Sequence, residues 1–302
     1  MEHPALQKMT ELAAAPEAIA ASVDYLSEKL HFLKKNDKVL ICFAKDKPGS
    51  HGELLEQAVL RREAIPILVG KDWRWKTLLR LAFSDKATTI IAPPLVVLGL
   101  AKLAKYKGTP LFIRNVVTAG YPCLDWMIDG IIAGLDCNTW GCFGPRGGSV
   151  IAGFSCGKSR GVHLRGNEYG VSIVDNRGME LPEGELGEMI LYPKTDPSIR
   201  FPVGEKARID RSPCPCGCGE IRLMDMQPGY ITDPKMDQLA IELLSWTSVL
   251  DCRLKKSDCG LELEIVIFPG EKLPKLPTAA KQIVRPWNPD KDEPFFFVPG
   301  MW

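Results

Sequence analysis

Three cysteines stand at alternate positions in R-S-P-C-P-C-G-C-G (Arg211–Gly219), as metal ligands, as reactive thiols or as a turn that happens to be rich in cysteine. A second stretch, F-S-C-G-K-S-R-G-V-H-L, carries Cys156 and His163 across a turn. Zinc takes four thiolate or imidazole donors in a tetrahedron, and a Cys/His pair on one loop with a C-x-C on another supplies a Cys₃His set. The C-x-C is tighter than the usual C-x₂₋₄-C spacing, so unrelated buried thiols beside a surface histidine stay open as the alternative.

Other residues capable of chemistry lack the company it requires. A cysteine nucleophile needs a free base, and a metal site would claim His163. His31 stands alone beside a helix end and His51 alone in a Gly/Ser loop, while Glu183 and Glu185 alternate on a strand edge as solvated carboxylates. The Gly-rich run G-P-R-G-G-S (Gly144–Ser149) lacks the preceding strand and following helix of a phosphate loop and reads as a turn.

The elements that must position these residues follow from periodicity. Residues 8–35 read as one helix, with Leu12, Ile19, Val23, Leu26, Leu30 and Leu33 at helical spacing. The short apolar run Lys38–Phe43 then reads as a buried strand. Helix, strand, helix, strand, helix follow, up to Leu95–Lys105, and Asn115–Gly120 is a further strand. Strands alternating with helices predict a parallel α/β layer.

Near Gly144 the period changes. Residues 144–226 are rich in Gly, Pro and alternating strands such as Tyr169–Asp175 and Gly187–Tyr192. Beyond the Pro/Gly stretch 227–234, a helix (Met236–Trp246) and a clean alternating strand (Leu261–Phe268) predict a small α+β tail. The segment Arg285–Pro294 reads as irregular. The expected organisation is a helical segment 1–35, a core 36–226 (α/β layer to about 143, then a β-rich zinc-bearing region 144–226) and a small domain 227–302.

Composition bounds the function. The 302 residues carry a net charge of +1, 45% hydrophobic and 25% charged residues, which is ordinary for a globular protein and gives no footprint for nucleic acid or an anionic membrane. No apolar run is long enough to span a bilayer, and the N-terminus lacks a secretory pattern. Ten cysteines without such a signal predict a reducing compartment, the cytoplasm, where clustered cysteines bind metal more often than they pair.

Several of these pieces, taken in order, resemble the phenylacetate-CoA ligase branch of the adenylate-forming ligases. They are V-V-T-A-G-Y-P (Val116–Pro122), T-W-G (Thr139–Gly141), Cys156 with His163, L-P-E-G-E-L-G-E-M-I-L-Y (Leu181–Tyr192), I-R-F-P-V-G-E (Ile199–Glu205) and C-P-C-G (Cys214–Gly217). The resemblance implies a structural zinc on Cys156, His163, Cys214 and Cys216, with Cys218 a spare thiol or an alternative ligand. It implies a substrate pocket at Thr118, Ala119, Gly120 and Tyr121, and a nucleotide site at Trp140, Gly141 and Glu205. Glu205 stands where the family's aspartate holds the ribose hydroxyls, and Arg200 beside it would meet a phosphate or carboxylate. The implied ligands are ATP or AMP, CoA and a small carboxylic acid.

The departures are as informative. Nothing matches the family's phosphate loop, and Cys142, Phe143 and Gly144 stand where its magnesium-binding glutamate would be. The hinge is reduced to R-L-M-D-M (Arg222–Met226), and neither Lys281 nor Lys291 lies in a sequence like that around the catalytic lysine. Adenylation depends on charge stabilisation by all three parts together. The expectation is a ligase-like, non-catalytic protein that binds an acyl, aryl or nucleotide ligand or a protein partner. The alternative is an active AMP-forming acid–CoA ligase to which a partner subunit supplies the phosphate loop.

Overall fold

The computed structural model describes residues 4–69, 73–145, 150–228, 234–257, 260–273 and 281–294. The chain opens with α1 (Pro4–Ala13) and α2 (Pro16–Lys29), followed by β1 (Lys38–Ile41), α3 (His51–Arg61), β2 (Ile65–Leu68), α4 (Trp75–Ser84) and β3 (Thr89–Ala92). Then come α5 (Pro94–Lys107), β4 (Asn115–Thr118), α6 (Asp125–Leu135) and β5 (Asn138–Phe143). The helix expected over 8–35 is thus two. Pro16 has no N–H for a continuing helix and is well placed to start a new one, so the chain breaks at Ala15.

Strands β2-β1-β3-β4-β5 pair in parallel in that order. The run V-L-I-C (Val39–Cys42) is apolar throughout because both faces are covered. Val39 and Ile41 pack with α2 and α3, whereas Leu40 and Cys42 pack with α4, α5 and α6.

At β5 the sheet changes character. Its far edge pairs antiparallel with β6 (Gly153–Phe154), and the sheet continues through β7 (Val162–Leu164), β11 (Arg222–Pro228), β10 (Phe201–Asp210), β9 (Gly187–Pro193) and β8 (Tyr169–Val174). These strands share a second core with α1, through Leu6, Met9 and Ala13. The first two helices therefore serve two cores, α1 the antiparallel half and α2 the parallel half. The run R-L-M-D-M (Arg222–Met226) lies within β11, with Asp225 at φ 50° beside a register shift.

The tail comprises α7 (Pro234–Ser245) and a separate sheet of β12 (Val249–Ser257), β13 (Gly260–Ile267) and β14 (Lys281–Pro286) in that order. β14 takes up the start of the segment expected to be irregular. Residues 146–149 of the run expected to form a turn, and 229–233 of the Pro/Gly stretch, lie outside the described residues. Leu250, Cys252, Leu263 and Ile265 of the tail join the α4–α6 core. Lys102 of α5 donates to the carbonyls of Leu244, Trp246 (3.1 Å) and Val249 (3.0 Å), closing the C-terminal end of α7. Cations are favoured there because the last carbonyls of a helix lack partners. Burial pulls this ammonium down to about 8.

Candidate ligand cleft and metal centre

The C-x-C-x-C run is the loop joining β10 to β11. Gly217, at φ 80°, lets it fold back so that the Gly217 N–H donates to Cys214 O at 2.9 Å. Beneath the loop, Arg222 bridges Asp210 and the Ser212 hydroxyl (2.9 Å). Pairing of β7 with β11 sets His163 opposite Arg222 and so directly against the loop. Cys156 arrives from the turn between β6 and β7.

The donor atoms of Cys156, His163, Cys214 and Cys216 all lie within 4.8 Å of one another. Zinc–sulfur and zinc–nitrogen bonds of about 2.3 and 2.0–2.1 Å set tetrahedral edges of about 3.8 Å between sulfurs and about 3.5 Å between sulfur and nitrogen. Cys156 Sγ and Cys214 Sγ are 3.7 Å apart, and Cys216 Sγ is 3.5 Å from His163 Nε2. The donors therefore fit a tetrahedral ion. His163 Nδ1 faces Glu220 O (3.3 Å) and Cys218 Sγ (3.0 Å), which leaves Nε2 for the metal. The Ser159 hydroxyl, 3.0 Å away, and the Cys216 N–H hold the Cys214 thiol down to about 6. The described cysteines are all free thiols.

Beside this centre lies a cleft of about 760 Å³ at the carboxyl ends of β4 and β5, where open α/β sheets hold their ligands. Its lining brings together Thr118 at the end of β4, Gly120 and Tyr121 just after it, Trp140 and Gly141 of β5, and Glu205 of β10. Ile241 of α7 adds a wall from the tail. Gly120 turns sharply, at φ 93°, over the Phe43 ring. The Tyr121 hydroxyl accepts from Leu95 N at 3.1 Å, and burial raises its pKa. Thr118 Oγ1 donates to Trp140 O at 3.2 Å, and Trp140 itself stacks on Phe32 with ring centres 3.9 Å apart. Glu205 is 2% exposed. Cys142 also lines the cleft, its thiol pushed up to about 12 by burial.

Two of the expected pocket residues lie elsewhere. Ala119 is buried in the core with β1 and α2 and does not line the cleft. Arg200 is exposed, 3.5 Å from Glu180 and over the Tyr192 ring. The inner face of β10 carries Phe201, Val203 and Glu205, and strand alternation puts position 200 on the other side. The turn 155–161, which residue types alone do not mark as part of the cleft, contributes Lys158, Ser159 and Arg160 to its lining. The signal for it is that two candidate metal ligands, Cys156 and His163, bracket a Gly-Lys-Ser-Arg-Gly run.

The sequence matches no protein-family model and no curated protein. Solved structures do match in three dimensions. The chain superposes on 2-hydroxyisobutyryl-CoA ligase in the postadenylation state in complex with 2-HIB-AMP at a TM-score of 0.70 and 13% identity, covering 94% of this chain and 69% of the ligase. For the same ligase with CoA in the thioesterification state the TM-score is 0.63. A benzoate CoA ligase from Burkholderia xenovorans gives 0.54 at 14% identity over 84% of this chain and 56% of the ligase. An amide bond synthetase from Marinactinospora thermotolerans gives 0.50 at 16% identity, over 85% and 56%. The chain thus has the fold of these proteins and spans 56–69% of their length. No described helix is long and apolar enough to cross a membrane.

Proposed function

We propose that this chain is a divergent relative of the phenylacetate-CoA ligase branch of the adenylate-forming enzymes. In this reading it binds a nucleotide or a small acyl or aryl acid in the cleft and does not form an adenylate by itself. The observation that carries the proposal is the convergence of Thr118, Gly120 and Tyr121 at the end of β4, Trp140 and Gly141 within β5, and buried Glu205 within β10, on one cleft of about 760 Å³. That volume suits a mononucleotide or an aryl acid. A similar fold holding 2-HIB-AMP in a solved ligase supports a nucleotide as ligand. Here Glu205 accepts hydrogen bonds from ribose hydroxyls and Trp140 of β5 borders the base.

The same geometry weighs against phosphoryl chemistry. Magnesium needs oxygen donors, and at the end of β5 this chain offers a thiol, Cys142, that burial keeps neutral, followed by Phe143. These residues do not fit a magnesium ion. Zinc, in contrast, suits Cys156, His163, Cys214 and Cys216. Four protein donors leave no open position, so the ion would be structural: it would tie the 155–161 turn to the β10–β11 loop and thereby fix one rim of the cleft. Titration calorimetry of the metal-loaded chain with AMP, ATP and aryl-CoA compounds tests the reading. Binding of AMP or an aryl compound, weakened by Trp140→Ala, supports it, and the absence of heat with every compound overturns it.

A further inference from the structure

The turn between β6 and β7 is built with one cation to spare. Ser155 anchors its start by accepting from Gly141 N at 2.7 Å. Cys156 commits its thiol to the metal cluster and also takes the Lys158 N–H at 3.4 Å. The Ser159 hydroxyl is spent on Cys214, and Arg160 on Asp125 at 2.8 Å in the first turn of α6. Asp225, another charge in the cleft, is paired with Arg208 at 2.9 Å. The Lys158 ammonium has no ion-pair partner among the described residues, yet its residue lines both the cleft and an adjoining recess of about 450 Å³.

Glycines press this turn against the cleft walls. A side chain on Gly157, at φ 68°, would start 3.0 Å from Trp140 Nε1, and one on Gly161, at φ 89°, would start 2.4 Å from Met224 Sδ. Backbone can run this close to Trp140 on one side and β11 on the other only without a Cβ. Lys158 follows Gly157 directly, so its backbone is fixed beside the indole while its charge stays uncommitted.

We infer that Lys158 supplies the positive charge for the anionic end of the cleft's ligand, a nucleotide phosphate, from a turn that the metal centre holds in place. This rests on the proposed binding function and adds to it which residue meets the phosphate. A lysine serves as a point charge here and needs no fixed fork geometry. Its contribution is that of one partly exposed charge-assisted contact, about five- to tenfold in affinity.

The test compares AMP with adenosine by calorimetry on the metal-loaded full chain. The wild type is expected to bind AMP more tightly than adenosine, with the gap narrowing as salt is raised. Lys158→Ala is expected to weaken AMP about five- to tenfold and leave adenosine unchanged, and Lys158→Arg to restore most of the loss. Equal affinity of AMP for wild type and Lys158→Ala, with binding otherwise intact, would place the phosphate elsewhere and overturn the inference alone. If the wild type bound neither compound, the inference would fall together with the reading beneath it.

Discussion

Cys156 Sγ and Cys214 Sγ lie 3.7 Å apart although one belongs to the β6–β7 turn and the other to the β10–β11 loop. Without a shared ion, two thiolates at this distance repel each other; with one, they form an edge of a tetrahedron. We expect about one zinc per chain by elemental analysis. Cys216→Ser should lower metal content and the melting temperature by roughly 5–10 °C. A metal-free protein of unchanged stability, or a disulfide at Cys214, would show that the cluster is not a metal site.

Cys218 plays a different part from its neighbours. It contacts His163 through Nδ1, the ring nitrogen turned away from Cys156, Cys214 and Cys216. A serine there still accepts the N–H, so Cys218→Ser should keep its zinc, with affinity lowered by no more than about 10–100-fold. Competition with a chromogenic chelator measures this. Zinc lost from Cys218→Ser as completely as from Cys216→Ser would make Cys218 a ligand.

Gly161→Ala probes how tightly the turn is seated. The methyl would start 2.4 Å from Met224 Sδ and 2.8 Å from Leu223 O, on a backbone at φ 89°. Strain and clash together should cost at least about 2 kcal/mol, against a smaller effect for Gly178→Ala, where φ is 80° and the space is open. Chemical denaturation gives both numbers. Equal costs would mean that close approach to β11 contributes nothing.

Lys102 is the latch between α5 and the tail. Lys102→Met leaves the carbonyls of Leu244, Trp246 and Val249 without their donor, which should cost roughly 2–4 kcal/mol. The pH dependence has a definite sign. Burial lowers the folded-state pKa to about 8, below the 10.5 of an exposed lysine. Between these values the unfolded chain still binds the proton that the folded chain has released, so this residue's contribution to stability grows as pH rises from about 8 to 10.5. The stability gap between wild type and Lys102→Met should therefore widen over that interval; a constant gap would contradict it.

Much of this molecule could be read from its residues because the physics behind them is local. The apolar run Val39–Cys42 declares burial on two faces, and cysteines at alternate positions with a distant Cys/His pair declare a donor set. The helix break was visible as Pro16, but Ile19, Val23 and Leu26 carry the apolar spacing past it, and spacing alone favoured continuity. Strands β6 and β7, of two and three residues, are too short to show a period, and their pairing with β5 and β11 is set by the whole sheet. Arg200 was grouped with Glu205 by sequence proximity, whereas the pleat decides which side of a strand reaches the cleft. Lys158 gave no signal because a lysine in a Gly-rich turn is commonplace until its neighbours' commitments are known.

The central claim, binding without adenylation, is tested most directly by pyrophosphate release. The metal-loaded chain, alone with ATP, magnesium and a panel of aryl and fatty acids, should release no pyrophosphate above the enzyme-free background. Sustained release over many turnovers with any of these acids would contradict the account and identify the chain as an adenylating ligase in its own right.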